Sequence, residues 1–145
     1  MEKLKFNISI NAPRDKVWKI LWAKESYNKW TSFFSESSSM ESDWKINGRT
    51  VFSDGNGNGM ISTIAELKEN EFLSFKHLGG IKNGVEDFES EEIKKWTGSL
   101  ENYTLTSNGN FTDLFIDMDM DENYKDFFLK TWPLALRKIK ELSEL

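Results

Sequence analysis

The chain has 145 residues, enough for one domain to bury a core unaided, and no cysteine, which excludes a disulfide framework, thiolate metal sites and a cysteine nucleophile. The net charge of −5 is spread over interleaved acidic and basic residues, so the basic footprint of a nucleic-acid binder is missing and no nucleic-acid partner is expected. Eleven phenylalanines and six tryptophans point to a core or cavity walled by rings.

Leu4, Phe6, Ile8 and Ile10 alternate with polar residues, the two-residue period of a strand with one buried face. This strand begins almost at Met1, with no apolar leader, and no later stretch is long enough to span a bilayer. No membrane span and a cytoplasmic location are the expectations. Pro13 is suited to open a helix, because its missing N–H falls where helical N–H groups lack partners anyway. Val17, Trp18, Leu21 and Trp22 form the apolar side of that helix, and a second is predicted over Ser26 to Phe33, with Tyr27, Trp30 and Phe34 at helical spacing. Ser35 to Ser39 reads as a polar break.

From Met40 onward the punctuation is mostly Asn-Gly and Asp-Gly, dipeptides that accept the positive φ of tight hairpin turns. Asn47-Gly48 separates a strand around Trp44 and Ile46 from one around Val51 and Phe52, and Asp54 to Gly59 leads into Met60 to Leu67. Glu69-Asn70 precedes Phe72 to Leu78, and Asn108-Gly109 divides Trp96 to Thr106 from Phe111 to Met120. The sum is about seven antiparallel strands, enough for the sheet to curl. Gly79 to Lys95, with apolar residues scattered among acidic ones, reads as a mobile loop with one helical turn. Gly55 to Gly59 reads as a flexible hairpin tip, since a phosphate cradle needs a helix N-terminus where a strand follows here. Finally, Phe128, Trp132, Ala135, Ile139 and Leu142 share one side of a helix over Asp121 to Leu145. Tyr124, Phe127 and Leu134 broaden that side, and Pro133 predicts a bend.

A strand, two short helices, a hairpin meander and one long C-terminal helix is an uncommon order. With Ile8-Ser9-Ile10-Asn11-Ala12-Pro13, Lys16-Val17-Trp18, Trp30, Trp96 to Leu105, and Trp132 with Leu136, it resembles the START-like, or SRPBCC, superfamily. Within it, the chain is similar to the branch of the activator of heat-shock-protein ATPase. The resemblance covers essentially the whole chain as one domain, 1–145. It implies an α+β helix-grip fold, in which a curved antiparallel sheet wraps around the C-terminal helix with a cavity between them. The serine-rich segment after Phe34 and the acidic loop before Trp96 depart from the commoner members and fall beside the expected cavity mouth.

Strand parity indicates which side chains would line that cavity. Ser99, Glu101, Tyr103 and Leu105 share a phase, as do Leu73, Phe75 and His77, and Thr112, Leu114, Ile116 and Met118. The candidate ligand-binding set is Trp30, Phe75, His77, Trp96, Glu101, Tyr103, Leu114, Ile116, Phe128 and Trp132. His77, the only histidine, and Glu101 could form an acid and base pair or orient a polar ligand group. The plainer alternatives place His77 half exposed beside Gly79-Gly80 and Glu101 on the rim, paired to a lysine. Without a histidine cluster, a calcium-loop pattern or a Gly-x-Ser-x-Gly elbow, neither a metal, a cofactor nor a serine hydrolase is indicated. The leading expectation is therefore a domain that binds a small apolar or aromatic ligand. Its rivals are a protein-interaction module, whose acidic Glu86, Asp87 and Glu89 meet a basic partner, and a cyclase or dehydratase-like enzyme using His77 or Glu101 for proton transfer. Monomer and dimer remain open.

Overall fold

In the computed structural model, which describes residues 1–145, the alternating N-terminal segment forms β1 (Glu2–Ile10), with Leu4 and Ile10 buried. Pro13 caps α1 (Arg14–Trp22), and α2 (Lys24–Thr31) follows. The meander is β2 (Ser39–Ser42), β3 (Arg49–Ser53), β4 (Gly59–Lys68) and β5 (Phe72–Lys82), then a short β6 (Val85–Asp87) and one turn of helix, α3 (Glu91–Lys94). The chain ends with β7 (Leu100–Asn108), β8 (Phe111–Met120), a 3-10 turn (Glu122–Tyr124) and α4 (Lys125–Ser143).

All strand pairings are antiparallel, in the order β1-β8-β7-β5-β4-β3-β2, with β6 paired to the outer end of β5. This is the α+β helix-grip fold, with an eighth strand beyond the seven expected. α4 packs against β1, α1 and α2 and buries Trp132, Ala135, Leu136 and Ile139. Trp132 stacks on Phe6 at 5.9 Å and meets Phe34, Trp30 and Tyr103 at 5.0, 5.8 and 6.2 Å, so one side chain joins helix, sheet and α2. At the far end, Glu144 accepts hydrogen bonds from the Asn11 N–H at 2.7 Å and from Lys140, which clasps the helix terminus to the turn after β1.

Several expectations are corrected. Trp44 and Ile46 are not in a strand: Asp43 accepts from the Lys45 and Arg49 N–H groups, and Trp44 turns to φ +56° with its ring 5.9 Å from Trp22. Side-chain hydrogen bonds to the backbone replace the ladder there, and the strand lies earlier, at Ser39–Ser42. Gly79 to Lys95 holds the expected helical turn, as α3, but the rest is not a loop, because β5 runs on to Lys82 and turns through Asn83-Gly84 into β6. Trp96 follows α3 rather than opening a strand. α4 starts later than predicted and leaves Phe127 and Leu134 exposed, so its buried side is narrower than expected. No helix is long and apolar enough to cross a membrane.

Candidate functional site

A cavity of about 670 Å³ lies where α2, the first half of α4 and the outer ends of β5, β7 and β8 fail to meet. α2 presents Tyr27 and Trp30 to it, α4 presents Phe128 and Trp132, and Ile93 and Trp96 come from α3 and the turn after it. The roof formed by β6 and α3 depends on Gly79 and Gly80. A Cβ on Gly79 would stand 2.5 Å from the Phe88 ring, and one on Gly80 would stand 2.9 Å from the Ile93 side chain. Glycine at both positions lets this segment lie directly on β5.

The sheet supplies the polar groups. His77 and Ser62 face each other across β5 and β4, and the Ser62 Oγ to His77 Nδ1 distance is 2.6 Å. His77 Nε2 is 3.3 Å from Glu101 Oε1, and the Tyr103 hydroxyl donates to Glu101 Oε2. With the imidazole neutral, every donor points the same way. Ser62 donates to Nδ1, the Nε2–H donates to one carboxylate oxygen, and Tyr103 donates to the other. Burial, and after it the negative charge of Glu101, pushes the Tyr27 and Tyr103 phenols above the usual tyrosine range, so both remain neutral and Tyr103 keeps the proton it donates.

The structure brings Trp30, His77, Trp96, Glu101, Tyr103, Phe128 and Trp132 into one cavity wall. It does not bring Phe75, Leu114 or Ile116 there. Phe75 is covered by Phe52 at 5.1 Å, Trp22 at 5.5 Å and Tyr103 at 6.2 Å, and Leu114 and Ile116 are wholly buried in the core. On β8 the cavity begins at Met118, opposite Glu101. His77 is 7% exposed rather than half exposed, and Glu101 pairs with His77 instead of a lysine.

Sequence reasoning did not assign Ser62, Tyr27, Phe52 or the methionines Met60 and Met120 to the site. Tyr27 shares the helical spacing of Trp30 and Phe34, a signal that could have placed it. Ser62, His77 and Glu101 are the residue types of a hydrolytic triad, but Ser62 is 1% exposed behind the imidazole and outside the cavity wall. It cannot present a nucleophile to a ligand there, and it acts by orienting His77.

Comparison with known proteins bears on this geometry. The sequence profile of the family described as Activator of Hsp90 ATPase homolog 1-like protein matches residues 11–144. The chain belongs to that family. Among curated proteins, none matches the sequence. Among solved structures, the family member's fold is similar to the Aha1 dimer from Colwellia psychrerythraea, with a TM-score of 0.75 at 16% identity, covering 100% of this chain and 98% of that one. It is also similar to MLL2253 from Mesorhizobium loti, with a TM-score of 0.75 at 15% identity, covering 97% and 96% of the two chains. DynU16, a protein of the dynemicin biosynthetic locus, gives a TM-score of 0.70 at 14% identity, covering 97% of this chain and 46% of that one. At these identities the likeness concerns the fold.

Proposed function

We propose that this member of the family is a small-molecule-binding protein whose cavity holds an apolar or aromatic ligand. The observation that carries this reading is a cavity of about 670 Å³ with aromatic walls and one oriented carboxylate, Glu101, held by His77 and Tyr103. Such a volume falls within the roughly 300–1,000 Å³ typical of small-molecule sites, which are mostly apolar with a few placed polar groups. Affinity would come from burying apolar ligand surface, at roughly 25 cal/mol per Å², and orientation from Glu101. Phe34, Phe52, Trp96 and Phe128 are only partly buried, and a ligand would cover the ring surface that they leave open.

Native mass spectrometry of the purified chain, before and after denaturing extraction, tests the proposal together with titration of an environment-sensitive apolar dye. A retained small molecule, or dye binding lost in Trp132→Ala, is the expected result. An empty chain that takes up no dye would refute it.

The family match favours a second reading, stimulation of an Hsp90 ATPase through a protein interface. The acidic segment suits that role less well than its sequence suggests. Glu86 is paired with Arg49 at 2.8 Å, and the Asp87 carboxylate accepts from the Glu89 and Ser90 N–H groups. ATPase stimulation that is lost on reversing Glu86, Asp87 and Glu89 would support this second reading over the first.

A further inference from the structure

Glu101 is a carboxylate in want of a cation. Its side chain is 19% exposed, and no lysine or arginine reaches it; its one pairing is to the imidazole of His77. With that ring neutral, Glu101 receives two uncharged donors, the His77 N–H and the Tyr103 hydroxyl. A carboxylate offers about four lone-pair sites, so two remain for whatever enters the cavity. A negative charge removed from water without a counter-ion is costly, and an incoming cation would offset that cost.

The rest of the cavity favours the same sign of charge. Its lining residues include Asp87, Glu92, Asp119 and Asp121 against Lys82 and Met1, with the Asp87 and Asp121 carboxylates also accepting from backbone N–H groups. Asp119 is in turn shared with Lys3 at 3.6 Å. The wall includes the partly exposed Trp96, and the face of such a ring attracts cations, whereas Trp30 and Trp132 are packed against other rings. Met60, Met118 and Met120 add flexible, polarisable surface suited to an apolar body of varied shape.

We propose that the ligands of this cavity are apolar or aromatic molecules carrying a protonated amine, with the ammonium group seated on Glu101. The assignment rests on the cavity being a ligand site and adds the chemical class of the ligand. It also gives the network a role: Ser62 fixes His77, and His77 and Tyr103 hold the Glu101 carboxylate aimed, so that the amine donates into the two remaining lone-pair sites.

Isothermal titration of the intact chain with naphthylmethylammonium, naphthylmethanol and naphthoate, three probes that share one ring system, tests it. The ammonium is expected to bind about tenfold more tightly than the alcohol, the scale of a charge-assisted hydrogen bond, and naphthoate more weakly than either. In Glu101→Gln the ammonium is expected to lose its advantage while the alcohol keeps its affinity. Equal affinity for all three probes in the wild-type chain would overturn the cationic assignment and leave the cavity reading standing. No heat from any probe, or affinities unchanged in Trp132→Ala, would overturn both. The wild-type comparison decides the matter even if Glu101→Gln fails to fold.

Discussion

Tyr27 and Tyr103 show how burial turns ordinary side chains into a site. Desolvation first, and the Glu101 charge second, raises both phenols above their usual range. A raised acid means that the folded chain keeps a proton the unfolded chain has already lost. The resulting stabilisation is whole below the ordinary tyrosine pKa of about 10 and is lost as pH climbs beyond it. In an alkaline titration, the phenolate absorbance of these two residues should therefore appear together with loss of far-UV ellipticity; ionisation completed in the still-folded chain would contradict this. Ser62→Ala should leave His77 Nδ1 without its partner in a buried position and destabilise the fold by about 1–3 kcal/mol in urea unfolding, with the imidazole nitrogen shifts moving as well. The facing of His77 and Glu101 was legible, because both keep the two-residue phase of their strands. Ser62 was not, because its place opposite His77 depends on a register shift that passes over Leu78 on β5, which the alternation along either strand does not mark.

Among the elements, the β6 and α3 roof separates what a sequence shows from what it hides. Asn83-Gly84 is the same kind of dipeptide that marks the Asn108-Gly109 turn, and Asn83 takes φ +52° as such a turn requires. The hairpin was obscured because β6 is only three residues long and its residues are mostly exposed, so no alternation surrounds the turn. The long C-terminal helix, by contrast, was legible from its apolar spacing, and the exposure of Phe127 and Leu134 follows from the same spacing, since both lie about 100° around the helix from the row of Phe128, Trp132, Ala135 and Ile139. The roof is held by Arg49 pairing with Glu86, by Asp87 and Ser90 capping the turn into α3, and by close packing on Gly79. Gly79→Ala puts a Cβ 2.5 Å from the Phe88 ring and 2.8 Å from the Asp87 carbonyl oxygen, a backbone atom that cannot turn aside as a side chain could. Hydrogen exchange is expected to quicken across 85–96 while β1, β8 and α4 keep their protection. Uniform acceleration throughout the chain would show instead that the roof and the sheet open as one unit.

Across the molecule, one helix serves two purposes along its length. Beyond Pro133, α4 is sealed: Ala135 and Ile139 are wholly buried, and the Glu144 clasp holds the terminus against the turn after β1. Before Pro133 the helix stands over the cavity, where Phe128 is only partly buried and the sheet beneath carries His77 and Glu101 instead of packed apolar side chains. Stability and binding should therefore separate on a single element. Ile139→Ala removes packed methyl groups from a closed core and is expected to cost about 2–5 kcal/mol in urea unfolding, without changing affinity for an apolar probe under conditions where the variant is folded. Phe128→Ala only widens a space that already exists, so it should cost clearly less while weakening the probe. A bound ligand at a hundredfold excess over its Kd stabilises the folded state by about 2.7 kcal/mol, so the probe should raise the Tm of Ile139→Ala by much more than that of Phe128→Ala. If both substitutions lowered stability and affinity in step, the cavity would be a flaw in one continuous core rather than a separate site.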